Sequence, residues 1–193
     1  MGTNISPGAK YLEAQEAVHK RLNDKYSTDR KLELDKLGEI IIWAKSADDA
    51  KLLVKSFMLD PNIRIDFLSD LTAYDNQDGE DGDKRFVMVY QLYSTELHIR
   101  VRVKVLVGET EQIPTITDVF LAANWLEREV FDLFGITFSN HPNLRRIMMD
   151  ERFTGHPLRK EYPIKQREGF SNNIPFHMGA NPKEVDSSTE EGK

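Results

Sequence analysis

Leu97-His98-Ile99-Arg100-Val101-Arg102-Val103-Lys104-Val105-Leu106-Val107 carries the cleanest period in the chain. Leu97, Ile99, Val101, Val103, Val105 and Val107 point one way, while His98, Arg100, Arg102 and Lys104 point the other. Successive side chains of a strand alternate between faces, so this stretch predicts a strand with one dry face and one basic, wet face. Arg85–Tyr93 (RFVMVYQLY) is apolar on both faces, as a central strand is. Before it, Ile63, Ile65 and Phe67 alternate with polar neighbours and lead into Leu71–Tyr74. Further upstream, Ile40–Trp43 follows Gly38 as a buried strand, and a short strand falls near Lys31–Leu34.

Three helices fill the gaps. Residues from Pro7 to about Asn23 set Leu12, Ala14, Val18 and Leu22 near helical spacing. Ser46 caps a second helix that carries Leu52, Leu53, Phe57 and Met58 and stops before Pro61. Thr117-Asp118 announces a third, with Val119, Ala122, Leu126, Val130 and Leu133 as its core stripe and Gly135 as its end. The order α-β-β-α-β-β-β-α predicts an α+β domain of two layers, a mixed sheet with helices on one face.

Beyond Gly135 periodicity vanishes, and Pro142, Pro157, Pro163 and Pro175 punctuate a long irregular arm. The expected division is therefore 1–37 for the N-terminal helix and first strand, 38–135 for the core, 136–178 for the arm, and 179–193 for a polar, acidic tail without structure. So long a structureless segment on a compact domain implies a partner or a function for it. Leu144–Arg167 holds seven Lys or Arg against three Asp or Glu, a local +4 on a chain of net charge −6. Such a basic segment suits an acidic neighbouring surface.

With no cysteine, the chain supplies neither disulfides nor thiolate ligands for zinc or iron–sulfur clusters. No run reaches the roughly 18 apolar residues of a membrane-spanning helix, so membrane association is expected only through partners. The Met1-Gly2 start with Ser6 matches a myristoylation pattern only loosely, and an ordinary terminus is the better reading. Asp75–Asp83 has five acids in nine residues but lacks the frame of an EF-hand, which favours a solvated hairpin turn. His141, His156 and His177 are irregularly spaced, and the first two precede proline, so turns are expected there and not a metal site.

The most specific block runs from Trp125 to Met149, WLEREVFDLFGITFSNHPNLRRIMM, followed by Gly155–Pro163, GHPLRKEYP. It resembles the signature of the 30-kDa-class (C-type) subunit family of complex I, the NADH–quinone oxidoreductase. The match rests on Glu127, Arg128, Glu129, Asp132, Leu133, Phe134, His141, Arg145, Ile147 and Met148, with Glu161 where the family commonly has Asp. The resemblance implies a non-catalytic subunit in the peripheral arm of a complex that passes electrons from NADH through FMN and iron–sulfur clusters to quinone, coupled to proton translocation. It implies no cofactor in this chain, the FMN and clusters being held by other subunits. The chief partner would be the large quinone-site subunit (the 49-kDa or D type), at the cytoplasmic face of the bacterial inner membrane, without nucleic acid. The residues it marks for the partner interface are Glu127, Arg128, Glu129, Asp132, Phe134, His141, Arg145, Arg146, His156, Arg159 and Lys160.

The residues themselves leave more than one reading. On a helix, Asp132 stands four residues from Arg128 and three from Glu129, so the three can share a polar edge. Glu127 and Glu129 diverge by about 200°, which disfavours a carboxylate pair for catalysis. A solvated charged face is the plain alternative; the neighbouring Trp125, Phe131 and Phe134 favour charges that face a partner or brace the arm. An equivalent subunit of a membrane-bound hydrogenase or another quinone-reducing complex fits the same block. A free-standing RNA-binding module would use the basic arm and the His98, Arg100, Arg102, Lys104 face.

Overall fold

A computed structural model describes residues 7–26, 29–35, 38–150 and 153–162. The tail from 179, His177, Pro163 and the first six residues lie outside them. The elements are α1 (Pro7–Tyr26), β1 (Leu32–Leu34), β2 (Ile40–Ala44), α2 (Ala47–Leu59), β3 (Phe67–Asp75), β4 (Phe86–Ser94), β5 (Ile99–Val107), β6 (Gln112–Pro114), α3 (Ala123–Phe134) and β7 (Thr137–Ser139).

Five of the strands form one mixed sheet in the order β1-β2-β5-β4-β3, with β2 and β5 parallel and the other pairs antiparallel. Register places Ile40 and Ile42 of β2 beside Val101 and Val103 of β5, and Leu92 and Tyr90 of β4 beside the same two valines. These residues, with Leu71 and Ala73 of β3, make one continuous apolar face. Val18 and Leu22 of α1, Leu53, Val54 and Phe57 of α2, and Val130 and Phe134 of α3 all bury against it. The fold is thus the expected two-layer α+β domain, and β4 occupies the interior position its composition implied.

Helical phase differs from the sequence-based expectation in two helices. α2 buries Ala47, Ala50, Leu53, Val54 and Phe57, a stripe that leaves Leu52 and Met58 exposed. The small Ala47 and Ala50 let the helix approach the sheet closely, which shifts the contact stripe toward them. The third helix starts at Ala123 and not near Thr117, because residues 117–122 form turns, closed by Val119 and Phe120 amides donating to the Ile116 carbonyl. Its buried positions are Ala123, Glu127, Arg128, Val130, Asp132 and Phe134, while Leu126 and Leu133 are only partly covered.

The other sheet face mixes buried apolar residues, Ile41, Val87 and Val89, with polar ones that are tied together. Arg102 donates to Glu39 (2.7 Å) and Gln91 (3.1 Å), and the Lys104 ammonium lies between the Trp43 and Tyr74 rings. His98, at φ +54°, belongs to the turn before β5 and not to the strand.

Candidate functional site: a clasp between the last helix and the arm

A helix leaves its last four carbonyls without intrahelical donors. In α3 these are met by the downstream chain. Gly135, left-handed at φ +75°, donates its amide to the Phe131 carbonyl. His156 Nδ1 donates to the Asp132 carbonyl (2.9 Å), the Leu158 amide to that of Leu133 (3.1 Å) and Arg159 Nε to that of Phe134 (2.6 Å). The Gly-His-Pro-Leu-Arg run is therefore the cap of α3. Its cation sits at the negative end of the helix dipole, where it is stabilising.

Gly135 also frees the chain to turn into β7, which pairs in parallel with β6. β7 lies in what the sequence presents as an irregular arm; three-residue strands carry too few positions for a period to show. The ladder as a whole joins that segment back to the core. It brings Thr115 and Ile116, just after β6, onto α3. Glu127 is fully buried there and accepts from the Thr115 hydroxyl (2.5 Å) and the Ile116 amide (2.8 Å). Burial pushes its carboxyl up to about 7, against the opposing pull of those two donors. His141 lies 3.8 Å away, donating from Nε2 to the Asn124 carbonyl and accepting at Nδ1 from the Asn143 amide. Burial holds this imidazole below its ordinary value, so it sits in the fold as the neutral tautomer.

Asp132 is the second buried carboxylate. Its Oδ2 accepts three successive arm amides, Ile147 (3.0 Å), Met148 (2.7 Å) and Met149 (2.9 Å), and Oδ1 accepts Arg146 (3.0 Å). Burial alone would raise this carboxyl; the three amides and the guanidinium more than offset it and hold it below the ordinary carboxylate value. Arg146 reaches on to the Gly155 carbonyl (2.9 Å), linking the two halves of the arm. Arg128 donates to the Arg145 carbonyl (3.1 Å) and stacks over Trp125.

The last described residues of the arm lie on the acidic hairpin. Asp75 accepts from the Lys160 amide (2.9 Å) and from Arg85 (3.2 Å), Lys160 pairs with Asp78, and Arg159 pairs with Glu109 (3.0 Å). The hairpin is thus less solvated than its composition suggested. Asp75 and Asn76 are buried, and Asn76 closes the turn by donating to the Gly82 and Lys84 carbonyls.

The structure therefore gathers Glu127, Arg128, Asp132, His141, Arg146, His156, Arg159 and Lys160 into one intramolecular clasp. Phe134 belongs to the core, edge-on to Phe86, while Glu129 is half-buried and Arg145 exposed, both outside the clasp. Asp132 pairs with Arg146 and not across the helix with Arg128. Thr115, Ile116, Asp75 and Arg85 carry no signal as site residues in the sequence, because each acts through a contact made only by folding. Among the described residues no group of three or more His, Asp or Glu could hold a metal ion, and no helix is long and apolar enough to cross a membrane.

These features define a class: a two-layer α+β domain whose last helix is capped and clasped by its own basic arm. A solved structure of the membrane-bound sulfane sulfur reductase, an archaeal respiratory membrane complex, contains a chain of the same fold, with a TM-score of 0.65 at 21% identity over 78% of this chain and 86% of that one. The family described as the respiratory-chain NADH dehydrogenase 30 Kd subunit matches residues 44–168, and the chain belongs to that family. The C subunit of the NADH-quinone oxidoreductase of Trichlorobacter lovleyi is 46% identical over 129 residues, covering 66% of this chain and 76% of its own. That of Ruegeria sp. is 45% identical over 126 residues, 65% and 61% of the two chains. A Bdellovibrio bacteriovorus protein, named as a joint C/D subunit of the same oxidoreductase, is 38% identical over 146 residues, 76% of this chain but 25% of that protein. The chain thus spans between a quarter and three quarters of the length of these relatives.

Proposed function

We propose that the chain is the C-type structural subunit of the peripheral arm of an NADH–quinone oxidoreductase, without catalytic residues of its own. The observation that carries this is the clasp. Most of the titratable groups of the family signature are consumed in fastening the arm to the domain, Glu129 and Arg145 being the exceptions. Glu127 and Asp132 are fully buried on the chain's own donors, and His141 and His156 each bond to a backbone carbonyl of α3. A group so enclosed can set a shape but cannot meet a substrate.

The electron carriers, FMN and iron–sulfur clusters, then belong to other subunits; a chain without cysteine offers no thiolate for a cluster. The partner is the D-type subunit, as the joint C/D name of one relative suggests, and the described arm residues 136–150 and 153–162 approach it pre-shaped. Membrane attachment and coupling to proton translocation come through the assembly. The bacterial inner membrane, cytoplasmic side, is the location this reading gives.

The test separates assembly from turnover. Membranes from cells lacking the chain should lose NADH–quinone activity, and Asp132→Asn or Arg146→Ala should lower the amount of complex while each remaining complex turns over at the wild-type rate. A variant that assembles fully yet turns over slowly would assign that residue to the chemistry and overturn the structural reading.

A further inference from the structure

The Glu127 carboxyl is enclosed between α3 and the turn that follows β6, and its two oxygens are not alike. Oε1 accepts the Ile116 amide (2.8 Å), a fixed donor, so a proton there would meet another hydrogen. Oε2 faces the Thr115 hydroxyl at 2.5 Å, and a hydroxyl gives or takes a hydrogen bond as its rotor turns. Oε2 is therefore the oxygen that can carry a proton.

Thr115 has one hydroxyl hydrogen and two acceptors within reach, Glu127 Oε2 and the Thr117 hydroxyl (3.0 Å). It accepts from the Thr117 amide (3.2 Å) in either case. With Glu127 ionised, Thr117 donates to Thr115 and Thr115 donates to the carboxylate. With Glu127 protonated, both bonds reverse. Each direction fills the three positions around the Thr115 oxygen, so neither leaves that buried group unpaired. Thr115 is buried, whereas Thr117 is half-buried and is the member of the row that meets solvent.

The surroundings keep both states populated near neutrality. Burial pushes the Glu127 carboxyl up to about 7, against the Thr115 and Ile116 donors and the Lys51 ammonium of α2, while Asp118 adds to the rise. Lys51 also donates to the Thr115 carbonyl (2.7 Å) and to Asp118 (2.8 Å), which pins the turn. The Tyr90 phenol of β4 is raised by its burial and further by Glu127, so it stays protonated. His141, 3.8 Å away, offers no second route: Nε2 is spent on the Asn124 carbonyl, Nδ1 on the Asn143 amide, and burial and Arg128 disfavour its cation.

We propose that Thr117, Thr115 and Glu127 form a proton-binding site with its own relay. A proton from solvent joins the Thr117 oxygen, the Thr117 hydrogen passes to Thr115, and the Thr115 hydrogen passes to Glu127 Oε2. One proton enters, no electron moves, and release runs the row backwards. The Thr115 amide also donates to the Ser139 carbonyl of β7 (3.1 Å), so occupancy of the site acts where the start of the arm is held to α3. The inference stands whichever complex the chain serves.

The test uses the purified full chain labelled with carbon-13 at the glutamate carboxyls, the Glu127 signal being identified by its loss in Glu127→Gln. At half-titration, relaxation dispersion of that signal reads the rate of proton exchange. Thr117→Val, which keeps the shape and removes the hydroxyl, should slow exchange at least tenfold at an unchanged urea midpoint, and Thr117→Ser should restore it. In the unaltered chain the rate should fall along a bowed curve as heavy water replaces light, because several hydrogens move together. An unchanged rate in Thr117→Val, a straight-line dependence on deuterium content, or a Glu127 carboxyl that does not titrate near neutrality would each overturn the relay. Should Thr117→Val fail to fold, the deuterium dependence of the unaltered chain decides.

Discussion

Asp132 on the last helix and Met148 on the arm are joined at 2.7 Å, carboxylate oxygen to amide nitrogen, at the centre of a three-amide cradle. The helix thereby holds the arm by its backbone, and side-chain identity at 147–149 is left free for other uses.

Removing that carboxylate should release the cradle. Asp132→Ala leaves Arg146 and three amides without their acceptor, and breaking a buried charged pair from one side costs about 3 kcal/mol. Asp132→Asn keeps one carbonyl acceptor and should lose about half as much. Urea denaturation of the purified chain reads both. Because the folded carboxyl lies below its ordinary value, its contribution is present above the unfolded pKa and is lost as pH falls through the folded one.

Glu127 should behave oppositely. Its folded value, about 7, exceeds the ordinary 4.5, so the folded state binds the extra proton between those limits. Its contribution is fully present below the unfolded value and disappears as pH rises through about 7. His141, held low, adds a slope of the other sign, lost as pH falls, so the comparison must be made against a variant. Glu127→Gln should be slightly less stable than the parent near pH 5 and more stable near pH 8, a change on the order of 2–3 kcal/mol in the difference of unfolding free energies.

Arg145 and Arg146 are adjacent in sequence and opposite in role. Arg145→Glu should leave the urea midpoint within about 0.5 kcal/mol of the parent, as exposed substitutions do, and weaken capture of the partner. Arg146→Glu sets a carboxylate against buried Asp132 and should destabilise the chain by at least about 2 kcal/mol. Equal effects of the two on stability would contradict the clasp.

Gly135 has no room for a methyl group. A Cβ there would lie 2.5 Å from the His156 ring and 2.8 Å from Arg159, in a backbone conformation that disfavours side chains. Gly135→Ala should cost about 2 kcal/mol and open the cap. Trypsin cleavage after Arg159 should then outpace that of the parent.

The sheet was legible in the sequence because its central strands are long. Nine residues in β5 and nine in β4 give enough repeats for alternation to declare the buried face. α3 was legible in extent at its Gly135 end but not in phase, because two of its buried positions are carboxylates. Polarity reads as exposure, and only the folded contacts of Glu127 with Thr115 and of Asp132 with residues 147–149 show the reverse. The arm read as irregular because what orders it lies elsewhere in the chain: carbonyls of α3, the β6 edge, and Asp75 of the hairpin, 85 residues from Lys160. The family block was visible throughout, yet its residues announced their types and not their partners.

The most direct measurement is gentle purification of the tagged full chain from solubilised membranes, with NADH–quinone activity assayed in the eluate. Activity should elute with the chain, together with a D-type partner and the flavin- and cluster-bearing subunits. A chain that elutes alone or with RNA, while NADH–quinone activity stays in the unbound fraction, would contradict the account.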